Sequence, residues 1–198
     1  MNTSKTKKMV IDLAPVNIQG GDIEVKSVYK YLGVHLNNKL DWSHDTDALY
    51  KKGQSRLHLL RRLRSFGVCR PLLRTFYYTV ASVIFYAVVC WGCGFTERDR
   101  KRLNKLVGRA GSVMGCTLEP VEVVGERRML DKLESIRSNS SHPLHETVAA
   151  QNSSFSKRLL HPACKKERFR RSFIPSVIRL HNTSVMKHCA TKKSLQLN

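Results

Sequence analysis

Four side chains of the sequence have the types that bind zinc, and two of them form a Cys-x-x-Cys pattern. Cys90 and Cys93 make up that pattern, and His142 and His145 follow later in the chain. Two thiolates with two imidazoles are typical of a structural zinc site. Redox enzymes also use Cys-x-x-Cys, but there it opens a helix, whereas here it follows an apolar helical stretch. The alternative to zinc is two thiols and two loop histidines without a metal.

A second pair of side chains with chemical potential is Asp45 and Asp47. Neighbouring carboxylates hold the metals in two-metal phosphoryl transfer, but the helix dipole also favours acidic residues in a first helical turn. The sequence contains no glycine-rich phosphate loop, nucleophile elbow or His-Glu-x-x-His motif. It contains no His-x-Asp, the pattern of iron-dependent oxygenases. The sequence therefore predicts no catalytic residue, no metal and no cofactor.

Positive charge is the strongest signal in the sequence, with 35 Lys and Arg against 15 Asp and Glu and a net charge of +20. Residues 48–96 contain eight basic side chains and no acidic one, and residues 157–198 contain eleven against Glu167 alone. Such blocks repel themselves unless a polyanion is bound, so the predicted partner is nucleic acid rather than a small-molecule substrate. The candidate binding residues of the first block are Lys51, Lys52, Arg56, Arg61, Arg62, Arg64 and Arg74.

Residues 30–43 mark a change from strand-like to helix-like sequence. Apolar residues alternate over 31–36, which predicts one half-buried strand. Asn37 and its neighbour predict a turn, and Asp41 or Ser43 can cap the following helix. The chain is thus expected to leave a strand, turn, and enter a long basic helix.

Three residues of that predicted strand are further candidates for nucleic-acid contact. Gly33 has no side chain, and a glycine in a strand lets another backbone approach closely. Lys30 supplies a positive charge, and the ring of Tyr31 can stack on a base or a sugar or belong to the core. Lys30, Tyr31 and Gly33 therefore join the predicted binding set.

Helical periodicity dominates the chain after residue 42, whereas short apolar runs and Gly20-Gly21 predict three or four short strands before it. Gly67 and Gly115 suit helix ends. The predicted fold is mainly α with a small N-terminal antiparallel β segment. The predicted helices cover residues 43–65, 71–91, 97–114 and 121–136, with weaker helical character at 144–160.

Residues 75–96 contain no charged side chain, so a membrane-spanning helix is an alternative to a buried helix. The tyrosines within the run and the two glycines near its end favour the buried helix. Six cysteines without a framework spacing and a polar, basic N-terminus indicate an intracellular location, either nucleus or cytoplasm.

With these features in this order, the chain resembles the end of a reverse transcriptase from a LINE-type (non-LTR) retrotransposon. Residues 29–34, Tyr-Lys-Tyr-Leu-Gly-Val, are similar to the hairpin that grips the primer strand in that family. Residues 50–64 and 72–91 are similar to its thumb helices. Asn2 to Lys7 resembles the lysine-bearing motif that closes the palm, and 141–145 with 168–182 resemble the tail.

This resemblance implies a domain order and a function. It implies a residual palm and primer-grip β segment at 1–41, a helical thumb-like domain at 42–137, a basic extension at 138–183 and a disordered tail at 184–198. The Tyr/Phe-x-Asp-Asp motif that holds the catalytic metals in that family does not occur in the sequence. The resemblance therefore implies a non-catalytic remnant, no enzyme by itself, that binds RNA or RNA–DNA hybrid.

Residues 5–45 also resemble the short N-terminal domain associated with AlkB-homologue-type nucleic-acid repair proteins. That resemblance implies an accessory module of a repair or tRNA-modifying protein, linked by name to a 2-oxoglutarate-dependent dioxygenase or a methyltransferase. The sequence supports neither activity, because it has no His-x-Asp and no glycine-rich methyl-donor loop. Three hypotheses stay open: the remnant, the accessory module, and a membrane-anchored basic protein.

Overall fold

The computed structural model of the chain describes residues 27–37, 39, 42–94 and 96–195. In this part of the chain a two-stranded antiparallel sheet precedes a series of helices, which confirms the predicted mainly α fold with a small N-terminal β segment. The predicted strands and hairpin before residue 27, the segment Asn2 to Lys7 and the proposed cap Asp41 lie outside the described residues. The elements are β1 (Val28–Tyr31), β2 (Val34–Asn37), α1 (Ser43–Ser65), α2 (Arg70–Ile84), α3 (Val88–Trp91), α4 (Glu97–Met114), α5 (Val121–Ser138), α6 (His145–Ala149), α7 (Glu167–Arg170) and α8 (Phe173–Leu195).

The described residues form two compact units, which divide the chain differently from the predicted domains. The first unit contains the described residues up to Ile84 together with those from 96 to Thr117, and the second contains Phe85–Gly94 and the residues from Leu118 onwards. Helix α5, predicted within the thumb-like domain, belongs to the second unit because it packs against α8. The predicted domain limits at 137 and 183 therefore fall inside one unit.

The first unit is built on α1, α2 and α4, which contact one another. Helix α1 begins and ends where its periodicity predicts, and the glycine after it, Gly67, has φ +76° and allows the chain to leave the helix. Thr96 caps α4 by accepting a hydrogen bond from the Asp99 amide, and Gly115 ends that helix with φ +70°, as the sequence predicts for this glycine. The buried side chains of this core are Leu49, Leu57 and Leu60 of α1, Leu73, Tyr77, Val80 and Ile84 of α2, and Leu103, Leu106, Val107, Ala110 and Met114 of α4.

A charged network also joins α1 to α4 in this unit. The Arg102 guanidinium donates to the Asp47 carboxylate at 2.7 Å and to the Asp99 carboxylate at 3.2 Å. Its Cζ lies 4.3 Å from the centroid of the Tyr50 ring. The hydrogen bond that Arg102 donates to Asp47 is the main reason that the pKa of Arg102 is raised. The network therefore pairs Arg102 with one carboxylate from α1 and one from α4.

The apolar stretch predicted as one helix over residues 71–91 is two helices. Helix α2 ends at Ile84, and after a turn at Phe85–Ala87, where Ala87 has φ +51°, the short helix α3 begins at Val88. A non-glycine residue in the left-handed region costs about 1 kcal/mol or more, so burial of the neighbouring side chains must hold this turn in place. In the described residues no helix is both long enough and apolar enough to cross a membrane.

The second unit is organised by the packing of α5 on α8. Met129, Leu133 and Ile136 of α5 contact Val177 and Ile178 of α8, and Val148 and Leu159 complete this buried cluster. Helix α8 continues to Leu195, although the sequence predicts a disordered tail from residue 184. No glycine or proline follows Pro175, so nothing in the sequence forces the helix to stop earlier.

A single side-chain amide holds the loop that precedes α7 against α8. Asn182 donates from Nδ2 to the Leu159 carbonyl at 2.8 Å and accepts the Leu159 amide proton at Oδ1 over 2.9 Å. Leu159 is buried, and it also forms an isolated antiparallel bridge with Asn152. The residues between the two ends of this bridge, 153–158, therefore form a closed loop.

Removing this amide is expected to destabilise the second unit by about 2–6 kcal/mol. Asn182→Ala leaves the buried N–H and the buried C=O of Leu159 without partners, and each such loss costs about 1–3 kcal/mol. Urea unfolding measures the free energy, and amide exchange at Leu159 reports the local opening. Thr183→Ala is the neighbouring control, because its exposed hydroxyl only donates to the Arg179 carbonyl within the helix; equal losses for both variants would contradict the role of Asn182.

Candidate nucleic-acid interface

The strand predicted over residues 31–36 is a two-residue hairpin. β1 and β2 pair with Tyr31 opposite Val34, and the turn residues Leu32 and Gly33 have φ of +46° and +88°. Positive φ at both central residues is the backbone of a type I′ turn, which matches the twist of the flanking strands. Gly33 is therefore a turn residue, so its predicted placement within a strand is wrong, whereas its contact with nucleic acid stays a prediction.

The hairpin presents aromatic rings to solvent. Tyr29 and Tyr31 lie two residues apart on one face of β1, with 40% and 58% of their surfaces exposed, and Leu32 at the turn is 73% exposed. Lys30 is exposed and lies on the opposite face, across from His35. Of the two alternatives predicted for Tyr31, stacking and a place in the core, its exposure fits the first.

A buried carboxylate ties this hairpin to the start of α1. Asp45 is 2% exposed, and its Oδ1 accepts the backbone N–H of His35 at 2.9 Å and lies 3.4 Å from His35 Nδ1. Thr46 donates its hydroxyl to the carbonyls of Trp42 and Ser43 at the same helix end. Asp45 and Asp47 therefore bind protein donors on different sides, and the two-metal alternative is not the arrangement in the described structure.

We expect Asp45→Ala to release the hairpin from α1. The variant leaves the His35 amide without its acceptor, and a lost bond of this charge-assisted kind costs about 1.5–3 kcal/mol. Amide hydrogen exchange at His35 should accelerate by about tenfold or more, since 1.4 kcal/mol corresponds to a factor of ten. Asp47→Asn is the control, because Arg102 keeps its bond to Asp99; unchanged exchange at His35 in Asp45→Ala would contradict the tie.

Helix α1 and the first half of α2 carry the basic residues of the first charged block. Seven of the eight are exposed, and Arg56 is half-buried. Within the described part of the chain, none of the eight forms an ion pair with a carboxylate. These cations are Lys51, Lys52, Arg56, Arg61, Arg62, Arg64, Arg70 and Arg74, and we call their surface the basic helical face.

The basic side chains of this face differ in whether they also bind other groups of the protein. Lys51, His58 and Arg62 follow a seven- and four-residue spacing, so they lie along one outward line of α1. Arg62 Cζ is 5.6 Å from the centroid of the Phe66 ring, which is 71% exposed. Arg56, in contrast, donates from Nη1 to the Thr79 carbonyl of α2 at 2.9 Å, so part of its guanidinium serves the fold.

Two residues that sequence reasoning left out of the binding set lie together in a cleft of the first unit. Arg70 and Tyr78 share this cleft with Arg74, beside the end of α4, and its volume is about 370 Å3. Tyr78 is 63% exposed. Their spacing with Arg74, four residues on either side, was a readable signal, since such residues lie on one helix face.

The second unit carries a second basic surface, which corresponds to the predicted C-terminal block. Lys157, Arg158, Lys165, Lys166 and Arg168 are all exposed. The Glu167 carboxylate binds both Arg170 and Arg171, and the hydrogen bond from Arg170 is the main reason that its pKa lies below the usual range. One carboxylate thus serves two arginines while their neighbours stay uncompensated.

An exposed aromatic ring belongs to this second surface and was also missed by sequence reasoning. Phe155 lies in the loop closed by the Asn152–Leu159 bridge, and 98% of its surface is exposed. Lys157 and Arg158 follow it in the same loop. A ring next to cations is the combination that single-stranded nucleic-acid sites use.

The candidate zinc ligands are not assembled into a site. Within the described residues, no group of three or more histidine, cysteine, aspartate or glutamate side chains is placed to hold a metal. The Cys93 thiol lies 3.1 Å from the Met129 sulfur, and burial raises its pKa. His142 accepts the Leu144 amide proton at Nδ1, and His145 Nδ1 lies 2.9 Å from the Ile136 carbonyl. Both histidines therefore serve the loop and helix around them.

Comparison with known proteins finds one family model, which matches the segment that carries the basic helical face. A family model described as "Alkylated DNA repair protein alkB homolog 8, N-terminal" matches residues 42–80. No curated protein and no solved structure matches the chain. The match supports the predicted resemblance to the AlkB-associated domain. It covers α1 and most of α2, whereas the predicted resemblance lies at residues 5–45. The match gives no support to the reverse-transcriptase resemblance, which stays a prediction. In sum, residues 42–80 of this chain are similar to an alkB-homologue N-terminal segment.

Proposed function

We propose that the chain is a non-catalytic nucleic-acid-binding module whose main contact surface is the basic helical face. The observation that carries this proposal is the absence, among the described residues, of any carboxylate paired with the eight cations of that face. Unpaired arginines keep their donors available for phosphate oxygens. Binding a polyanion relieves the repulsion between neighbouring cations and releases counterions, which favours association.

The family match favours one setting for this module. We propose that it serves as an accessory segment of an AlkB-type nucleic-acid repair or tRNA-modifying protein, since the matched residues 42–80 contain the whole basic helical face. In that setting the module holds the nucleic acid, and chemistry belongs to a separate domain. The chain itself contributes no His-x-Asp ligands and no methyl-donor loop.

A second setting is the thumb-containing remnant of a LINE-type reverse transcriptase, with RNA or RNA–DNA hybrid as partner. The observation that favours it is the type I′ hairpin with exposed tyrosines directly before the basic helix α1. Asp45 joins the two through the His35 amide, so the hairpin and the helix are positioned together. Both settings assign binding to the same surface and no catalysis to the chain.

Salt-dependent binding tests the proposal. Fluorescence anisotropy with the full chain and single-stranded RNA, RNA–DNA hybrid or duplex DNA should give a linear fall of log affinity with log salt. About six phosphate contacts predict a slope of about −4 for a single strand, because each neutralised phosphate contributes roughly 0.7. Polyglutamate is the control polyanion. No RNA binding at low salt, or equal binding of polyglutamate, would contradict the proposal.

The two settings predict different nucleic-acid preferences and the same absence of turnover. A clear preference for RNA–DNA hybrid over single-stranded RNA supports the thumb remnant, because that family grips a primer paired with its template. Preference for single-stranded RNA supports the accessory module. Iron-dependent turnover of 2-oxoglutarate by the isolated chain would contradict both, because each proposes a chain without catalysis.

A further inference from the structure

The cleft of the first unit has the size and the side chains of a nucleotide site. Its volume is about 370 Å3, within the range of small-ligand pockets of about 300–1,000 Å3. The N-terminal half of α2 forms one wall, and the end of α4 forms the other. Its chemically active lining residues are Arg70, Arg74, Thr75, Tyr78 and Cys116, with Gly115 at the floor.

Two guanidinium groups lie on one side of this cleft without a carboxylate. Arg70 and Arg74 are four residues apart on α2, so they lie on the same face of the helix. A Cβ placed on Gly115 would lie 3.5 Å from Arg70 Cζ, so the guanidinium sits directly over the glycine that ends α4. The carbonyl end of a helix favours a cation through its dipole, which holds Arg70 in place while leaving its formal charge uncompensated.

An exposed aromatic ring continues the line of arginines. Tyr78 lies one helical turn beyond Arg74, about 6 Å further along the axis at 1.5 Å per residue. Its ring is 63% exposed, and its centroid lies 6.5 Å from that of Tyr77 in a tilted arrangement that supports one edge. Burial, with the nearby Cys116 thiol second, raises the pKa of Tyr77 to about 12, so Tyr77 adds no negative charge beside the cleft.

We propose that this cleft holds one unpaired nucleotide of a bound single strand. The two arginines bind its phosphate, and the Tyr78 ring stacks on its base. This inference rests on the proposed nucleic-acid binding and specifies its substrate class, since a duplex keeps its bases stacked on each other and offers none to the ring. The site selects single-stranded over duplex nucleic acid without selecting a base, because every base has a π-face.

Variants of the full chain test the stacking part of the proposal. With an oligoribonucleotide containing 2-aminopurine, stacking on Tyr78 quenches the fluorescence of the base. Tyr78→Ala should lose the quenching and bind about 5- to 100-fold more weakly, the range seen for stacked aromatics. Tyr78→Phe should retain both. Leu72→Ala is the matched control, since Leu72 is exposed on α2 outside the cleft, and circular dichroism establishes that each variant is folded.

The phosphate part has its own readouts. Arg70→Gln with Arg74→Gln should make the salt slope less steep by about 1.4, for two single-strand phosphate contacts. Cys116, exposed in the cleft, should be alkylated more slowly when RNA is bound, whereas Cys90, exposed in the second unit, should react at an unchanged rate in the same sample. Mass spectrometry separates the two cysteine peptides.

The outcomes separate this inference from the proposed function. RNA binding that keeps its salt slope, its quenching and its Cys116 alkylation rate in all cleft variants overturns the inference and leaves the binding module intact. Absence of RNA binding by the wild-type chain overturns both. Protection of Cys116 by a free mononucleotide at the concentration at which the strand protects it would assign the cleft to a free nucleotide and overturn the strand-bound form.

Discussion

Replacing Arg61, Arg62 and Arg64 with glutamine is expected to weaken single-stranded RNA binding about 100-fold at low salt. The three side chains are exposed in the last turns of α1, and none pairs with a carboxylate among the described residues. Three phosphate contacts at about 1 kcal/mol each give roughly this factor, because 1.4 kcal/mol corresponds to tenfold. Glutamine is almost as good a helix former as arginine, so α1 should remain folded.

The salt slope decides whether the loss comes from phosphate contacts. It should become less steep by about 2 in the triple variant, since each single-strand contact contributes roughly 0.7. A matched control removes the same charge from arginines that are already paired: Arg100 with Glu97, Arg127 with Glu119, and Arg137 with Glu134. Equal losses in both triple variants would mean that net charge alone governs binding, and the basic helical face would lose its role.

The positions of the long helices could be predicted from sequence because their signals are local. Helix α1 occupies residues 43–65 as its leucine spacing indicates, and Thr96 and Gly115 mark the ends of α4 through side-chain and backbone chemistry within one turn. The apolar stripe of α4 is buried at Leu103, Leu106, Val107, Ala110 and Met114. Periodicity shows which face of a helix is apolar, and that face is the one that packs against the core.

Periodicity alone does not predict the hairpin or the break after α2, because the same apolar pattern fits more than one structure; for the hairpin, only the resemblance of residues 29–34 to a primer-grip hairpin indicates it. The alternation of Leu32, Val34 and Leu36 fits one continuous strand, but in the structure Leu32 is a turn residue, and Tyr31 and Val34 pair on one face although they are three residues apart. Between α2 and α3 no glycine or proline marks the turn, in which Ala87 has a positive φ and the Phe85 carbonyl accepts a hydrogen bond from Arg128 of α5. The hairpin pairs residues that are close in sequence, whereas the turn after α2 receives a contact from a residue far along the chain.

For the predicted binding residues too, some features could be recognised from the sequence and others only from the packing of helices. The clustering of Arg61, Arg62 and Arg64 is visible in the sequence, and their exposure follows from the apolar stripe on the other side of α1. The spacing of Arg70, Arg74 and Tyr78 shows that they share one face of α2, but the cleft itself exists only because the end of α4 packs beside that face. Sequence thus locates charge, whereas packing locates a cavity.

The close approach of α1 to α4 leads to the largest expected effect on stability. A Cβ placed on Gly53 would lie 3.1 Å from both terminal methyl groups of Leu106 and 3.7 Å from Ile84 Cγ1. Gly53→Val adds three carbons at this crossing, and overpacking of this kind costs about 1–3 kcal/mol. Leu106→Ala removes a side chain that is 2% exposed, which costs about 2–5 kcal/mol through lost burial and the cavity.

The double variant should recover part of both losses, because the valine at position 53 can occupy the space that Leu106 vacates. We expect a coupling of about 1–3 kcal/mol between the two substitutions, measured by urea unfolding of all four proteins in the cycle. Gly108→Ala is the control, since a Cβ there meets nothing within 4 Å and should stabilise α4 by up to about 1 kcal/mol. Additive effects, or a Gly53→Val variant as stable as Gly108→Ala, would contradict the tight crossing. Because α1 carries the basic helical face, Gly53→Val should also weaken RNA binding in proportion to the fraction unfolded, and by no more than that.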